Sequence, residues 1–259
     1  MSKKDIIVTC LALLVFSGCV SGKMPEVTKR PAVPPQDILG KIAMPDGGDT
    51  IRATVRISLS SPEGDYSRKM ALLLRMPSSL RIETIPLFGP ADFFLSANEE
   101  TLKVFFPGEG KFYVGAATRE NLFLFFKVFL SPADMVPLLA GLPPRITGEH
   151  LSGHMEGMLY RIDIKSGKGR RSLWVDPDDH ILTKIEDIDD GRTLWRATFT
   201  DHIVVSGTPY PRRVHIEVRE PGRVSIDIRY LDLDISSAGD TAIFDLRIPS
   251  GITPIPIDR

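Results

Sequence analysis

Ile51-Arg52-Ala53-Thr54-Val55-Arg56-Ile57-Ser58-Leu59 alternates an apolar and a polar side chain at every step. A period of two puts successive side chains on opposite faces of an extended chain, so this stretch predicts a strand with one face in a core and one in water. Ser61-Pro62-Glu63-Gly64-Asp65 supplies turn chemistry, and Lys69 to Met76 returns as a more apolar strand. Outward from this pair the pattern repeats. Leu80 to Ile85, Asp92 to Ser96, Thr101 to Phe106 and Lys111 to Val114 read as a meander, with turns at Pro86 to Pro90, Asn98 to Glu100 and Pro107 to Gly110. The first half is therefore mostly antiparallel sheet.

The period then changes. Leu122, Phe123, Phe125, Phe126, Phe129 and Leu130 recur at three and four residues, which predicts a helix with a broad apolar face. Ser131-Pro132-Ala133-Asp134 offers a hydroxyl cap, a proline at the first helical position and an acid in the first turn. A second short helix is expected there, kinked or shortened by Pro137 and stopping near Gly141-Leu142-Pro143-Pro144. Strands resume over Met155 to Ile164, Arg171 to Val175, Ile181 to Asp187, Thr193 to Val204, Tyr210 to Arg219 and Arg223 to Ile235. Asp190-Gly191 is a hairpin turn, because glycine accepts the positive φ of a type I′ turn. In the last segment Val224, Ile226, Ile228 and Tyr230 keep one phase while Leu231, Leu233 and Ile235 take the other. One extra residue near Tyr230 reconciles them, which predicts a bulge and a sharply curved strand. The tail from Ile248 to Pro256 is too rich in proline for an inner strand.

The amino terminus carries Lys3 and Lys4, an apolar run from Ile6 to Phe16, and Ser17-Gly18-Cys19. These are the parts of a secretory signal. About a dozen apolar residues fall short of the roughly 20 that cross a bilayer. Ser17-Gly18-Cys19 resembles the bacterial lipobox, with Phe16 where that motif usually has an aliphatic residue, and Cys19 is the expected site of lipid attachment. A plain cleaved signal or an uncleaved anchor are the alternatives. Val20 stands where an aspartate would resemble the inner-membrane retention signal, so the outer membrane is the expected location. Residues 1–18 are thus read as a lipoprotein signal, 19–36 as a tether with Pro25, Pro31, Pro34 and Pro35, and 37–259 as one domain. An extended tether at ~3.1 Å per residue reaches roughly 50 Å. Cys10 is lost with the signal, leaving Cys19 alone, so stability is expected to come from core burial rather than from a disulfide. A net charge of -1 over 259 residues gives no pointer to nucleic acid.

Ile85-Pro86-Leu87-Phe88-Gly89, Lys111-Phe112-Tyr113, the helix from Glu120 and Leu138-Leu139-Ala140-Gly141-Leu142-Pro143 together resemble the lipoprotein-localisation family, on the LolB side of the LolA/LolB fold. Leu173-Trp174-Val175-Asp176-Pro177 is similar to the entry to a strand hairpin in those proteins. The likeness spans residues 36–235. It implies a mainly β chain with a few helices: a strongly curved antiparallel sheet forming an unclosed half barrel, covered by short helices and holding acyl chains on its concave face. The partners implied are acylated lipoproteins or other lipid, the membrane through the amino-terminal lipid, and an envelope protein if the same fold serves instead as a scaffold or assembly factor with a filled interior.

Phe105, Phe123, Phe126, Phe129 and Leu139 are the candidates for lining such a cavity, with ordinary core packing the alternative for each. The family's receptor uses a protruding apolar loop residue to insert cargo. The Ser61 to Ser67 connection offers only Tyr66, and Leu87-Phe88 in the next turn either takes that role or packs as a buried turn contact.

No catalytic residues, cofactor or metal are expected. His150 and His154, flanked by Glu149 and Glu156, lack the H-E-x-x-H order of a zinc protease and read as a solvated loop. Asp176-Pro177-Asp178-Asp179-His180 and Asp187-Ile188-Asp189-Asp190-Gly191 fail the calcium-loop template and read as hairpin turns. There is no G-x-S-x-G elbow, phosphate loop or dinucleotide fingerprint. Lys168, Arg170 and Arg171 form a basic turn that either touches anionic head groups or is merely solvated.

Overall fold

The computed structural model describes residues 33–42, 49–145, 148, 150–219, 222–236 and 240–257. The signal, Cys19 and nearly all of the tether lie outside the described residues. Residues 33–259 form one compact unit that carries its own core, since every buried core residue falls within it.

The first element among the described residues is a short helix α1 (Pro35–Leu39), whose Ile38 is buried. Strands β1 (Thr50–Ser61), β2 (Gly64–Arg75), β3 (Ser79–Thr84), β4 (Phe94–Ala97), β5 (Thr101–Phe106) and β6 (Lys111–Ala116) follow as the expected meander. Next come helices α2 (Arg119–Phe126) and α3 (Pro132–Leu139). The second half comprises β7 (His150–Glu156), β8 (Leu159–Ser166), β9 (Gly169–Val175), β10 (Leu182–Asp189), β11 (Arg192–Val205), β12 (Thr208–Val218), β13 (Val224–Ser236) and the two-residue β14 (Ile255–Pro256). Among the described residues all fourteen strands belong to one sheet in the order β14-β6-β5-β4-β3-β2-β1-β13-β12-β11-β10-β9-β8-β7, antiparallel except for the β14–β6 pair. The two ends do not meet, so the sheet is an open half barrel.

The hinge of this sheet is the β1–β13 pair. Thr54 is opposite Asp232 and Val55 opposite Tyr230, so Leu231 is the extra residue. The expected bulge is therefore present, and its effect is the one the phase change requires. Val224, Ile226, Ile228 and Tyr230 on one side of it are buried in the core, and Leu233 and Ile235 on the other side pack against the same core. Deleting Leu231 would turn Leu233 and Ile235 outward. The expected loss is about 2 to 4 kcal/mol, read by urea unfolding; an unchanged midpoint would show that the bulge sets no register.

Three sequence expectations need correcting. Met155 to Ile164 is not one strand: Gly157, at φ +64°, opens a two-residue turn between β7 and β8. The turn was hidden because its second residue is the apolar, 84 % exposed Met158. His150 and His154 are not in a loop but on β7, an edge strand whose inward positions are only Leu151 and Gly153 while its other side chains are exposed. The aromatic helix stops at Phe126, because Lys127 takes the left-handed conformation at φ 56°. Phe129 and Leu130 therefore lie in the connection to α3. Asp190-Gly191 makes its hairpin as expected, with φ values of 44° and 77°, and the proline-rich tail contributes only the edge strand β14.

The core lies on the concave side, between the sheet and the helices. Leu72, Leu74, Leu80, Leu95, Leu102 and Val104 meet Leu122 of α2 and Val136 and Leu138 of α3 in one cluster. The opposite face of β3 to β6 is covered by residues 240–257. Arg81 donates to the Ile243 carbonyl at 2.7 Å, Ser96 donates to the Phe244 carbonyl, and Lys103 pairs with Asp245 at 2.5 Å. The segment then rounds the β6 edge, where the Ile257 N–H bonds the Val114 carbonyl at 3.0 Å. Gly115 is required at that crossing, because a Cβ there would stand 2.5 Å from Ile257 Cγ1.

Candidate functional site

The concave face is closed unequally along its length. Helix α3 is sealed: Met135, Val136, Pro137, Leu138 and Leu139 are all buried. It is also tied at both ends. Ser131 Oγ caps the Asp134 N–H at 3.2 Å, the Asp134 carboxylate faces Arg171 at 3.9 Å, and the Tyr230 hydroxyl donates to the Leu139 carbonyl at 2.5 Å. Complete burial pushes the Tyr230 phenol far above its ordinary pKa, so the donor proton stays on. Burial likewise pushes Tyr210 up to about 12. Just past the helix, Gly141 lies against the Pro211 ring, where a Cβ would come within 2.5 Å.

Helix α2 is held differently. Thr118 caps the Asn121 N–H at 3.1 Å, and Asn121 Nδ2 bonds the Ala116 carbonyl at 2.9 Å while its Oδ1 is buried without a partner. Leu122 is fully buried, but Phe125 and Phe126 are only half-buried against the core. Their rings join Phe93, Phe106 and Tyr113 in a cluster. Phe93 is 5.4 Å from Phe106 and 6.1 Å from Phe126, and Phe125 is 5.5 Å from Tyr113 and 6.3 Å from Phe106, centroid to centroid. Five aromatic side chains at one end of the concave face are thus packed on one another without being sealed from water.

Beside this cluster lies the β3–β4 loop. Thr84 closes its base, accepting from the Asp92 and Phe93 N–H groups at 3.0 and 3.2 Å and donating to Asp92 Oδ1 at 2.6 Å. Pro86 and Pro90 stiffen it and Gly89 turns it at φ +79°. Leu87 and Phe88 at its tip are 93 % and 94 % exposed. The reading of these two as a buried turn contact is therefore overturned: the short, proline-bracketed loop has no room to fold back over its own base. Tyr66, on the β1–β2 ribbon at the same end of the sheet, is also exposed.

Of the five residues read as cavity-lining, the structure brings Phe126 and Leu139 to the concave side and not the others. Phe105 shares a face with Thr101 and Lys103, and its ring stacks with Phe94 at 6.1 Å and lies 5.7 Å from Phe112, away from the core. Its neighbour Phe106 points inward instead. Phe123 and Phe129 pack on each other at 6.3 Å, with Lys127 over the first and Arg119 over the second. Phe93, Phe106, Tyr113 and Phe125 went unassigned in the sequence. The parity of Leu102 and Val104 would have named Phe106, and the three-residue step from Leu122 would have named Phe125.

The acidic clusters have structural tasks. Asp176 Oδ1 accepts from the N–H groups of Asp178 and Asp179 at 2.9 and 3.2 Å, an Asx turn between β9 and β10. Asp187 faces the Arg171 guanidinium at 3.2 Å. His150 and His154 stand opposite Lys165 and Arg161, a cationic setting unsuited to a metal. In the basic turn, Arg171 faces Asp187, Arg170 is half-buried and Lys168 is exposed. Among the described residues no helix is long and apolar enough to cross a membrane.

No protein-family model and no curated protein matches the chain. Solved structures do. A LolA superfamily protein from Nitrosomonas europaea superposes with a TM-score of 0.54 at 15% identity, over 82% of this chain and 97% of that one. A putative outer membrane lipoprotein-sorting protein domain from Vibrio parahaemolyticus gives 0.54 at 14%, over 81% and 94%. A DUF1329 family protein from Desulfovibrio piger gives 0.56 at 14%, over 81% and 95%. The chain shares its fold with these structures.

Proposed function

We propose that this chain uses the LolA/LolB fold to bind acyl chains of lipoproteins or other amphiphiles beneath α2, in lipoprotein localisation or envelope biogenesis. The observation that carries the reading is the five-ring cluster, apolar yet unsealed, between the sheet and helix α2, which itself supplies Phe125 and Phe126. Acyl chains lose about 0.8 kcal/mol per methylene when exposed to water. Aromatic walls recover that by non-directional contact, without fixing the geometry of the chain. The neighbouring Leu87-Phe88 tip would contact membrane or cargo at the mouth, and Tyr66 stands at the same end. No catalytic step is assigned to the chain.

Lipid on Cys19 would tether the protein to the periplasmic side of the outer membrane. Replacing Cys19 with Ala is expected to release it into the soluble periplasm, as fractionation would show; retention in the membrane contradicts the tether.

The buried α3 face favours a second reading, a non-catalytic scaffold for an envelope complex with a filled interior. A fluorescent fatty acid titrated into residues 33–259 distinguishes the two. Saturable binding displaced by an acylated peptide is expected for the first, and its absence would leave the second.

A further inference from the structure

The outer face of β12, β13, β1 and β2 carries a row of like charges. Arg213 is the register partner of Arg229, Arg229 of Arg56, and Arg56 of Lys69. Register partners share a face with Cβ atoms about 5 Å apart, so four cations stand side by side on four adjacent strands. All four are exposed, and among the described residues none has a carboxylate at ion-pair distance. The nearby acids are otherwise placed. Asp227 is bound by His215 Nδ1 at 2.8 Å, Glu83 by Arg81 at 2.5 Å, Glu217 lies 3.6 Å from Arg219, and Asp232 sits opposite Thr54 in the next row.

Like charges directly opposite one another destabilise a sheet. On the same face Arg161 is matched with Glu156 and Asp163 and Arg196 with Glu186, while Lys165 stands opposite Arg170. The row of four concentrates unmatched charge on adjacent strands, and its field calls for an anionic counterpart. It ends at an apolar surface, since the Ile85 N–H bonds the Lys69 carbonyl at 2.8 Å. Ile85, Leu87 and Phe88 are exposed at 36 %, 93 % and 94 %. A cationic row alone would suit an acidic polypeptide equally well. Apolar side chains continuous with it suit a bilayer, whose phosphates and acyl boundary lie next to each other.

We infer that Arg213, Arg229, Arg56 and Lys69, with the Ile85–Phe88 loop, dock this domain on anionic phospholipid. The inference rests on the preceding reading only for the membrane contact of Leu87 and Phe88. The test is co-sedimentation of residues 33–259 with phosphatidylcholine vesicles with and without phosphatidylglycerol, alongside fatty-acid titration. Binding is expected to require phosphatidylglycerol and to weaken with salt. Each neutralised cation is expected to lower affinity about five-fold, so R56Q/R229Q should bind roughly 25-fold more weakly. Its urea midpoint should hold or rise as repulsion is relieved, and its fatty-acid affinity should be unchanged. The charge-matched K165Q/K168Q should bind vesicles like the unaltered domain.

Vesicle binding indifferent to phosphatidylglycerol, unchanged in R56Q/R229Q, or weakened equally by K165Q/K168Q would overturn the inference. So would capture by polyglutamate in place of the vesicles. Loss of fatty-acid binding with the vesicle results intact would sink only the cargo reading.

Discussion

Leu138→Asp is expected to abolish folding, whereas Phe126→Asp is expected to leave a folded protein that no longer binds a fatty-acid probe. Leu138 is fully buried in α3, among the core side chains of the sheet. A carboxylate there would be stranded in an apolar site, and the cost exceeds the about 5 to 15 kcal/mol by which a domain is stable unless the group takes up a proton or the helix leaves. Phe126 is half-buried in a cluster open to water. A charge there stays hydrated, so the loss of stability should be about 1 to 2 kcal/mol, while the apolar lining is broken. Circular dichroism and urea unfolding report the fold, and probe fluorescence reports the site. If both variants unfold, the aromatic cluster is core rather than site.

Removing residues 240–259 is expected to cost about 4 to 6 kcal/mol, at ~2 to 3 kcal/mol for each large apolar side chain taken from its buried place. The segment carries Phe244 and Leu246, 8 % and 7 % exposed. On the next row of the same outer face lies Phe112, fully buried although it faces away from the main core, in ring contact with Phe105. Truncation also removes the contacts to Arg81, Ser96 and Lys103 and frees the β6 edge. An uncovered aromatic face beside an open strand edge promotes association. Unfolding should shift to lower urea, and light scattering should show aggregates. A monomeric truncation of unchanged stability would mean that the outer face needs no cover.

The fold was largely legible because its main determinant is local. Period-two alternation from Ile51 to Leu59 and the phase reversal at Tyr230 specify a curved sheet before any contact is known, and the unpaired Leu231 is where the reversal places it. Legibility failed where an exposed side chain imitates a core one, as Met158 does in the β7–β8 turn, and where an edge strand such as β7 turns little more than Leu151 to the core. The site was less legible for a related reason. Phenylalanine occurs on both faces of β5: Phe105 lies against Phe94 and Phe112 on the outer face, while Phe106 joins the concave cluster. Aromatic residues therefore did not by themselves mark the concave face, and only their phase relative to Leu102 and Val104 separates Phe106 from Phe105. The cationic row has no signature along the chain. Arg56, Lys69, Arg213 and Arg229 come from four strands and meet only through the register.

The central claim is that the five rings between α2 and the sheet receive an acyl chain. Photolysis of residues 33–259 with a fatty acid bearing a diazirine near its methyl end, followed by peptide mapping, tests it directly. Adducts on Phe93, Phe106, Tyr113, Phe125 and Phe126, suppressed by excess unlabelled fatty acid, are the predicted result. Adducts confined to the outer-face residues Phe94, Phe105 and Phe112, or labelling that excess fatty acid does not suppress, would contradict it.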